Sequence, residues 1–311
     1  MTAPIPLPPR QPAPAYPAPA YPAPGYTAPG YASPIPVVRT HIGHAIASEW
    51  TKIRTVRSTV WTLLCMFVVT LGIGTLFALS LSGEDYVGMP LLAGGFFGLM
   101  LGQLGIITLG VLVISSEYGT GMMRTTLTAC PRRGRVLAAK AIVFFLLAFA
   151  MTLAAAVPTA LVQMAVLSDQ DAPSYAVDDP VMENSIVDGE VVASTDQVLG
   201  ATVGAALYVA LLGLLALAVG ALLRHSAGAI TTMLGVVLLP LLTALFLFGE
   251  SLADLREALI EYSPLNGLAS LYGIPMMGDE LDSGWPLLGL LALVTGGALA
   301  AAFARLNAGD A

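Results

Sequence analysis

Six apolar runs, approximately 59–82, 91–115, 136–167, 199–223, 228–249 and 286–304, most constrain what this chain can fold into. About 20 apolar residues carry a helix across the hydrocarbon core of a bilayer, and each run is of that order or longer. Lipid offers no hydrogen-bonding partner, so such runs satisfy their backbones internally, as helices. The charge supply agrees: only 11% of the 311 residues are charged and mean hydropathy is +0.80, against about 25% charged in soluble domains. A water-facing surface could not be built from so little. The expected fold class is all-α integral membrane with six transmembrane helices.

Orientation follows from the cations, which concentrate on the cytoplasmic side of membrane proteins. With the N-terminus placed inside, Arg10, Arg39, Lys52, Arg54, Arg57, Arg124, Arg132, Arg133, Arg135, Lys140, Arg224 and Arg305 all fall inside, and only Arg256 falls outside. The acids sort oppositely. Glu84 and Asp85, eight acids between residues 169 and 196, and seven between 250 and 282 fall outside, seventeen of twenty. One span more or fewer would scramble this segregation, so six spans and cytoplasmic termini support each other. The first run begins near Thr59, too deep for a cleaved leader, and is expected to serve as the insertion signal.

Residues 1–40 form a separate segment, built on a degenerate PAPAY-PAPAY-PAPGY-TAPGY repeat. Proline at this density removes backbone donors and favours polyproline II, with nothing to bury a core. A docking tail for a proline-binding domain is one reading; a disordered cytoplasmic extension is the one composition favours. The membrane domain then spans 41–311. Its first stretch, 41–58, has helical periodicity, with Ile42, Ile46, Trp50, Ile53 and Val56 on one face and Thr51, Arg54 and Thr55 opposite. An apolar side, an indole and nearby cations suit an interfacial helix, in which Glu49, Trp50, Lys52 and Arg54 are the notable residues. Glu49 falls inside the apolar arc, where either Lys52 one turn on or neighbouring protein could partner it. Further along, Pro158 and Pro240 are expected to kink the third and fifth spans. Residues 251–262 read as amphipathic and too charged to cross.

The spans offer little chemistry. Gly94, Gly98 and Gly102 recur at four-residue spacing in the second run, as helices packing closely in lipid require. Gln103 and Gln163 are the larger polar side chains there. They could line a pathway, but an interhelical hydrogen bond is the preferred role. No Asp, Glu, Lys or Arg is expected within the hydrocarbon-level cores, which weighs against an ion-coupled carrier. There is no G-x-x-x-x-G-K-[ST] loop and no H-E-x-x-H, so neither nucleotide nor catalytic metal is expected on this chain. His41 and His44 lack a third ligand nearby, and no nucleic-acid partner is expected. Cys65 and Cys130, on different levels, are expected as free thiols.

The loop after the second span is the most informative stretch: Ser115-Ser116-Glu117-Tyr118-Gly119-Thr120-Gly121-Met122-Met123-Arg124-Thr125-Thr126-Leu127, then Pro131-Arg132-Arg133-Gly134-Arg135. Gly119 and Gly121 permit a reversal out of the membrane, after which Met122 to Leu127 can form a short amphipathic helix. A positive-inside anchor explains the arginines, but not Glu-Tyr set against two glycines.

Two stretches resemble the membrane subunits of type-2 ABC exporters, particularly the actinobacterial kind. Ser48-Glu49-Trp50-Thr51-Lys52-Ile53-Arg54 looks like that family's E-x-x-K-[IL]-R entry helix. Glu117-Tyr118 through Arg124-Thr125-Thr126-Leu127, Pro131-Arg132-Arg133 and Ala138-Ala139-Lys140 is similar to its E-Y-x-x-G-T-x-R-x-x-L…P-x-R…A-K pattern, departing at Met122, where Thr is usual. The resemblance covers 41–311. It implies a permease subunit in the bacterial plasma membrane, driven by a separate cytoplasmic ATPase that holds ATP and Mg2+, and paired with a second permease chain, identical or not. It further implies that the loop between spans two and three is a coupling helix, placing Glu117, Tyr118, Gly121, Arg124, Arg132 and Arg133 at or beside the ATPase. The segment between spans five and six would fold partly back into the outer leaflet. The alternative is a polytopic membrane anchor or assembly factor that moves no solute.

Overall fold

The computed structural model describes residues 41–129, 132–168, 170–176, 179, 181–182, 185–276 and 283–308, without the side chains at positions 124, 127 and 129. The Pro/Ala/Tyr repeat of residues 1–40 and Cys130 lie outside the described residues. Within them, six helices are long and apolar enough to cross a membrane. These are α2 (Arg57–Leu81), α3 (Gly94–Gly119), α5 (Arg133–Leu167), the continuous Thr195–Leu223 segment, α8 (Ser226–Ala244) and α11 (Trp285–Ala308). The shorter helices are α1 (Ile42–Thr55), α4 (Met122–Ala129), α9 (Ala253–Glu261) and α10 (Pro264–Leu271). The fourth span comprises α6 (Thr195–Leu199), a π turn over Gly200–Gly204 and α7 (Ala205–Leu223).

The core forms around α7, where most residues are buried, while α8 and α11 stand mostly open on the outside. Small residues make this possible. Gly213 on α7 packs against Gly110 of α3 and Phe144 of α5, with no room for a side chain. On α3, a Cβ at Gly98 would lie 2.5 Å from the carbonyl oxygen of Thr70, and one at Gly102 would lie 2.6 Å from Thr70 Oγ1. One at Gly94 would meet Phe77 and Gln163. Removing side chains there lets α2 and α3 touch backbone to backbone, and in lipid such van der Waals contact replaces the hydrophobic drive. The exposed flanks carry large apolar side chains: Trp61 and Leu76 on α2, Leu239 and Leu242 on α8, Leu293 on α11.

Several boundaries differ from the hydropathy reading. The fifth span stops at Ala244, not near 249, because the following residues close tight turns, Phe246 N–H to Thr243 and Leu247 N–H to Ala244. Gly249 at φ 102° then redirects the chain. The fourth begins at Thr195, where Ser194 and Gln197 form a reciprocal capping box that ties up two free amides. Its π turn places Gly200 directly against the carbonyl of Leu271, where no Cβ fits. Both α5 and α8 continue as helix through Pro158 and Pro240.

Between spans three and four, Ile186–Val187 (β1) and Glu190–Val191 (β2) pair as a small antiparallel hairpin. Asp188 at φ 54° and Gly189 at φ 87° make its two-residue turn, the sequence and conformation that suit the natural twist of strands. Between spans five and six, charged α9 buries none of its residues, whereas α10 buries Leu265, Leu268, Ala269 and Leu271. The segment that returns into the bundle is therefore α10, just beyond the amphipathic stretch singled out in the sequence. Ser263 caps it through the Asn266 N–H, with Pro264 at its first turn.

A buried ion-pair ring at one end of the bundle

At the end of the bundle shared by α1, the last turn of α3 and the first turns of α5, four side chains close a ring. Glu49 and Lys52 lie one turn apart on α1, a spacing that puts them on one helix face, and their charged atoms are 2.8 Å apart. Lys52 Nζ also donates to Glu117 Oε1 on α3 at 2.9 Å. Lys140 Nζ, from α5, donates to the same Glu117 oxygen at 2.7 Å and to Glu49 Oε2 at 2.8 Å. Each lysine therefore bridges both glutamates. Lys140 is 1% exposed, Glu49 4% and Glu117 5%, and only Lys52 reaches water, its side chain 29% exposed.

The ring is neutral, which is the condition for burying four charges. Desolvating each ion costs several kcal/mol, recovered only when partners and hydrogen bonds are in place. Placement on the helices adds a second constraint. A carboxylate in the last turn of a helix opposes the helix dipole, and Glu117 occupies that position on α3. The Lys140 ammonium offsets that unfavourable field. Burial lowers the Lys52 pKa, but hydrogen bonds and attraction from Glu49 and Glu117 outweigh it, holding the group above its usual 10.5. Glu117 Oε2 is buried and makes no hydrogen bond.

The sequence reading changes here in three ways. Glu49 takes both partners left open for it, Lys52 and the protein interior. The expectation of spans free of charge holds only for their middles, since Lys140 sits two turns into α5 and is fully buried. Nor does α1 turn its whole apolar arc to one surface. Ile53 is buried with Glu49, while Ile42, Trp50 and Val56 remain exposed beside Arg54.

Below the ring, α3 ends at Gly119, and Gly121 at φ 74° turns the chain into α4. Gly121 carries the reversal, while Gly119 has ordinary helical geometry. On α4, Met123 is buried and Met122 exposed; Arg124 lies on this helix with its side chain outside the description. Arg132 precedes α5 and is exposed, but Arg133 is drawn inward, Nη1 donating to the Leu306 carbonyl near the end of α11 at 3.2 Å. Tyr118 is covered by the Arg224 guanidinium, 5.2 Å above its ring. Arg224 itself adopts left-handed geometry in the short link from α7 to α8.

The two glutamines sit well away from this end. With its amide turned to satisfy both neighbours, Gln163 accepts from the Gly95 N–H at 2.8 Å and donates to the Leu92 carbonyl at 3.0 Å. It thereby caps the start of α3 from α5. Gln103 is fully buried, and its Nε2 donates to the Met100 carbonyl of its own helix at 3.3 Å. Cys65 is a free, exposed thiol. His41 and His44 stack with ring centroids 3.8 Å apart.

The geometry defines the class: a helical protein with six membrane-length spans and a buried, neutral ion-pair ring at one end. No protein-family model matches the chain, and no curated protein matches its sequence.

Proposed function

We propose that the chain is the permease subunit of a type-2 ABC exporter, a passive pathway-former in the bacterial plasma membrane with both termini in the cytoplasm. A separate ATPase docks on α4 and its flanks, and a second permease chain completes the pathway. One observation carries this reading. The resemblance rests on two stretches, one carrying E-x-x-K and the other carrying E-Y and A-K, and their charged residues Glu49, Lys52, Glu117 and Lys140 meet in one ring. A shared motif whose members converge in space has a physical reason to recur together.

The ring also supplies a mechanical role. It fastens entry helix, α3 and α5 immediately above α4, so force applied to α4 is passed to two spans rather than absorbed by a loose loop. Gly98 and Gly102, locked against α2, extend that rigid unit. The one-sided distribution of cations supports α4 facing the cytoplasm.

The test is reconstitution. The purified chain, incorporated in vesicles with a soluble ABC ATPase subunit from the same genome, is expected to stimulate ATP hydrolysis. Stable insertion without binding or stimulation of that ATPase would favour the anchor reading.

A further inference from the structure

At the same end of the bundle as the ring, but outside it, arginines from three elements gather near Tyr118. The Arg224 guanidinium lies 5.2 Å above the Tyr118 ring, and the Arg305 charge acts on the same hydroxyl. Arg305 Nη1 donates to the Leu222 carbonyl at the end of α7. Arg133 Nη1 donates to the Leu306 carbonyl, next to Arg305. Capping one carbonyl engages a single N–H of the five on a guanidinium. Neither Arg224 nor Arg305 pairs with a carboxylate among the described residues, and the nearby Glu49 and Glu117 are engaged by the two lysines. Arg224 Nε is buried and makes no hydrogen bond. Its backbone, at φ 54°, caps α7 in the left-handed region where glycine is usual. An arginine there strains the chain, so the side chain has a reason to be kept.

We propose that this arginine cluster binds the phosphate of an acidic phospholipid. Arg224 and Arg305 stand at the ends of membrane-length helices, the level at which a bilayer's phosphates lie, and basic pockets between spans suit anionic heads. The residues beside them face hydrocarbon: Leu223 is 47% exposed and Phe303 45%. The Phe303 ring also lies against Gly134, which holds the end of α11 beside Arg133. Guanidinium donors bordering exposed apolar side chains match a phosphate continued by acyl chains. That edge favours a lipid over a soluble protein partner. A choline head brings its own cation, which the arginines repel, whereas an acidic head brings none. The proposal needs only that the six spans lie in a bilayer and is independent of the export reading.

The purified full chain in detergent is mixed with equimolar phosphatidylglycerol and phosphatidylcholine of matched acyl chains, and bound lipid is counted by native mass spectrometry. Charge-assisted hydrogen bonds from two guanidinium groups predict retention of the glycerol lipid about tenfold above the choline lipid. Two variants locate the site. Arg224→Gly suits the left-handed backbone, and Arg305→Gln, at an exposed position, keeps an N–H for the Leu222 carbonyl. Each alone should cut the preference about threefold, with the unfolding temperature near wild type, and the two together should abolish it. Equal retention of both lipids by the wild-type chain overturns the proposal. A folded Arg305→Gln protein that keeps the full preference also overturns it, by placing the lipid elsewhere, and this variant decides even if Arg224→Gly fails to fold.

Discussion

Lys140 and Glu117, on different spans, meet at 2.7 Å with both side chains sealed from water. Glu117 stands in the last turn of a helix whose dipole disfavours its charge, so the pairing holds an otherwise unfavourable group in place. Neither α3 nor α5 can slide or rotate without separating them, and this underlies the predictions below.

Removing one member of the ring leaves a buried charge without its partner. Lys140→Met is expected to destabilise the protein by about 3–5 kcal/mol, read as a large drop in unfolding temperature in detergent. Pairing it with Glu117→Gln should recover part of the loss, since the double variant no longer strands that carboxylate. A double variant as unstable as the sum of the singles would show that the residues do not interact.

The ring also makes a prediction for alkaline pH. The Lys52 pKa is raised above its unfolded value of 10.5. Its stabilisation is therefore fully present below pH 10.5 and is lost as pH rises through the higher folded value. Unfolding temperature should fall more steeply above pH 10.5 in the wild-type chain than in Lys52→Gln. Parallel curves would show that Lys52 does not stabilise the fold through its charge.

Close packing predicts an asymmetry among glycines. Gly98→Ala forces a methyl group against the Thr70 backbone and is expected to cost about 1–3 kcal/mol, as over-packing does. Gly296→Ala, on the open side of α11, should leave stability unchanged. Equal tolerance at both positions would refute the α2–α3 contact.

Docking of a motor on α4 predicts that charge reversal uncouples without unfolding. Arg124→Glu with Arg132→Glu should abolish copurification with the ATPase while membrane insertion and unfolding temperature stay near wild type. Undiminished binding would place the motor elsewhere. The matching topological test is a protease-accessible tag in the Asp188–Gly189 turn, which should be reached only from outside the cell.

The six spans were legible because hydropathy over about 20 residues is a local property, independent of what packs alongside. The turn at Gly121 and the short helix after it could be read for the same reason, from glycine followed by an amphipathic stretch. Features set by distant residues could not. The π turn at Gly200 answers to the backbone of Leu271, some seventy positions away. Lys140 read as one more inside cation at the start of an apolar run, because its partners arrive from two other helices. Leu245 to Phe248 kept the hydropathy of the fifth run high past its end. The Asp-Gly turn of the small hairpin, by contrast, left a local signal between two Val-containing pairs that could have been recognised.

The order in which the ring's members leave the ribosome gives the nascent chain a checkpoint. Glu49 and Lys52 emerge together and can neutralise each other at once, so the first helix is safe alone. Glu117 follows with that one ammonium already shared, and only when residue 140 has been synthesised is the account of charge complete. The amino-terminal half must wait for the third span before it can set.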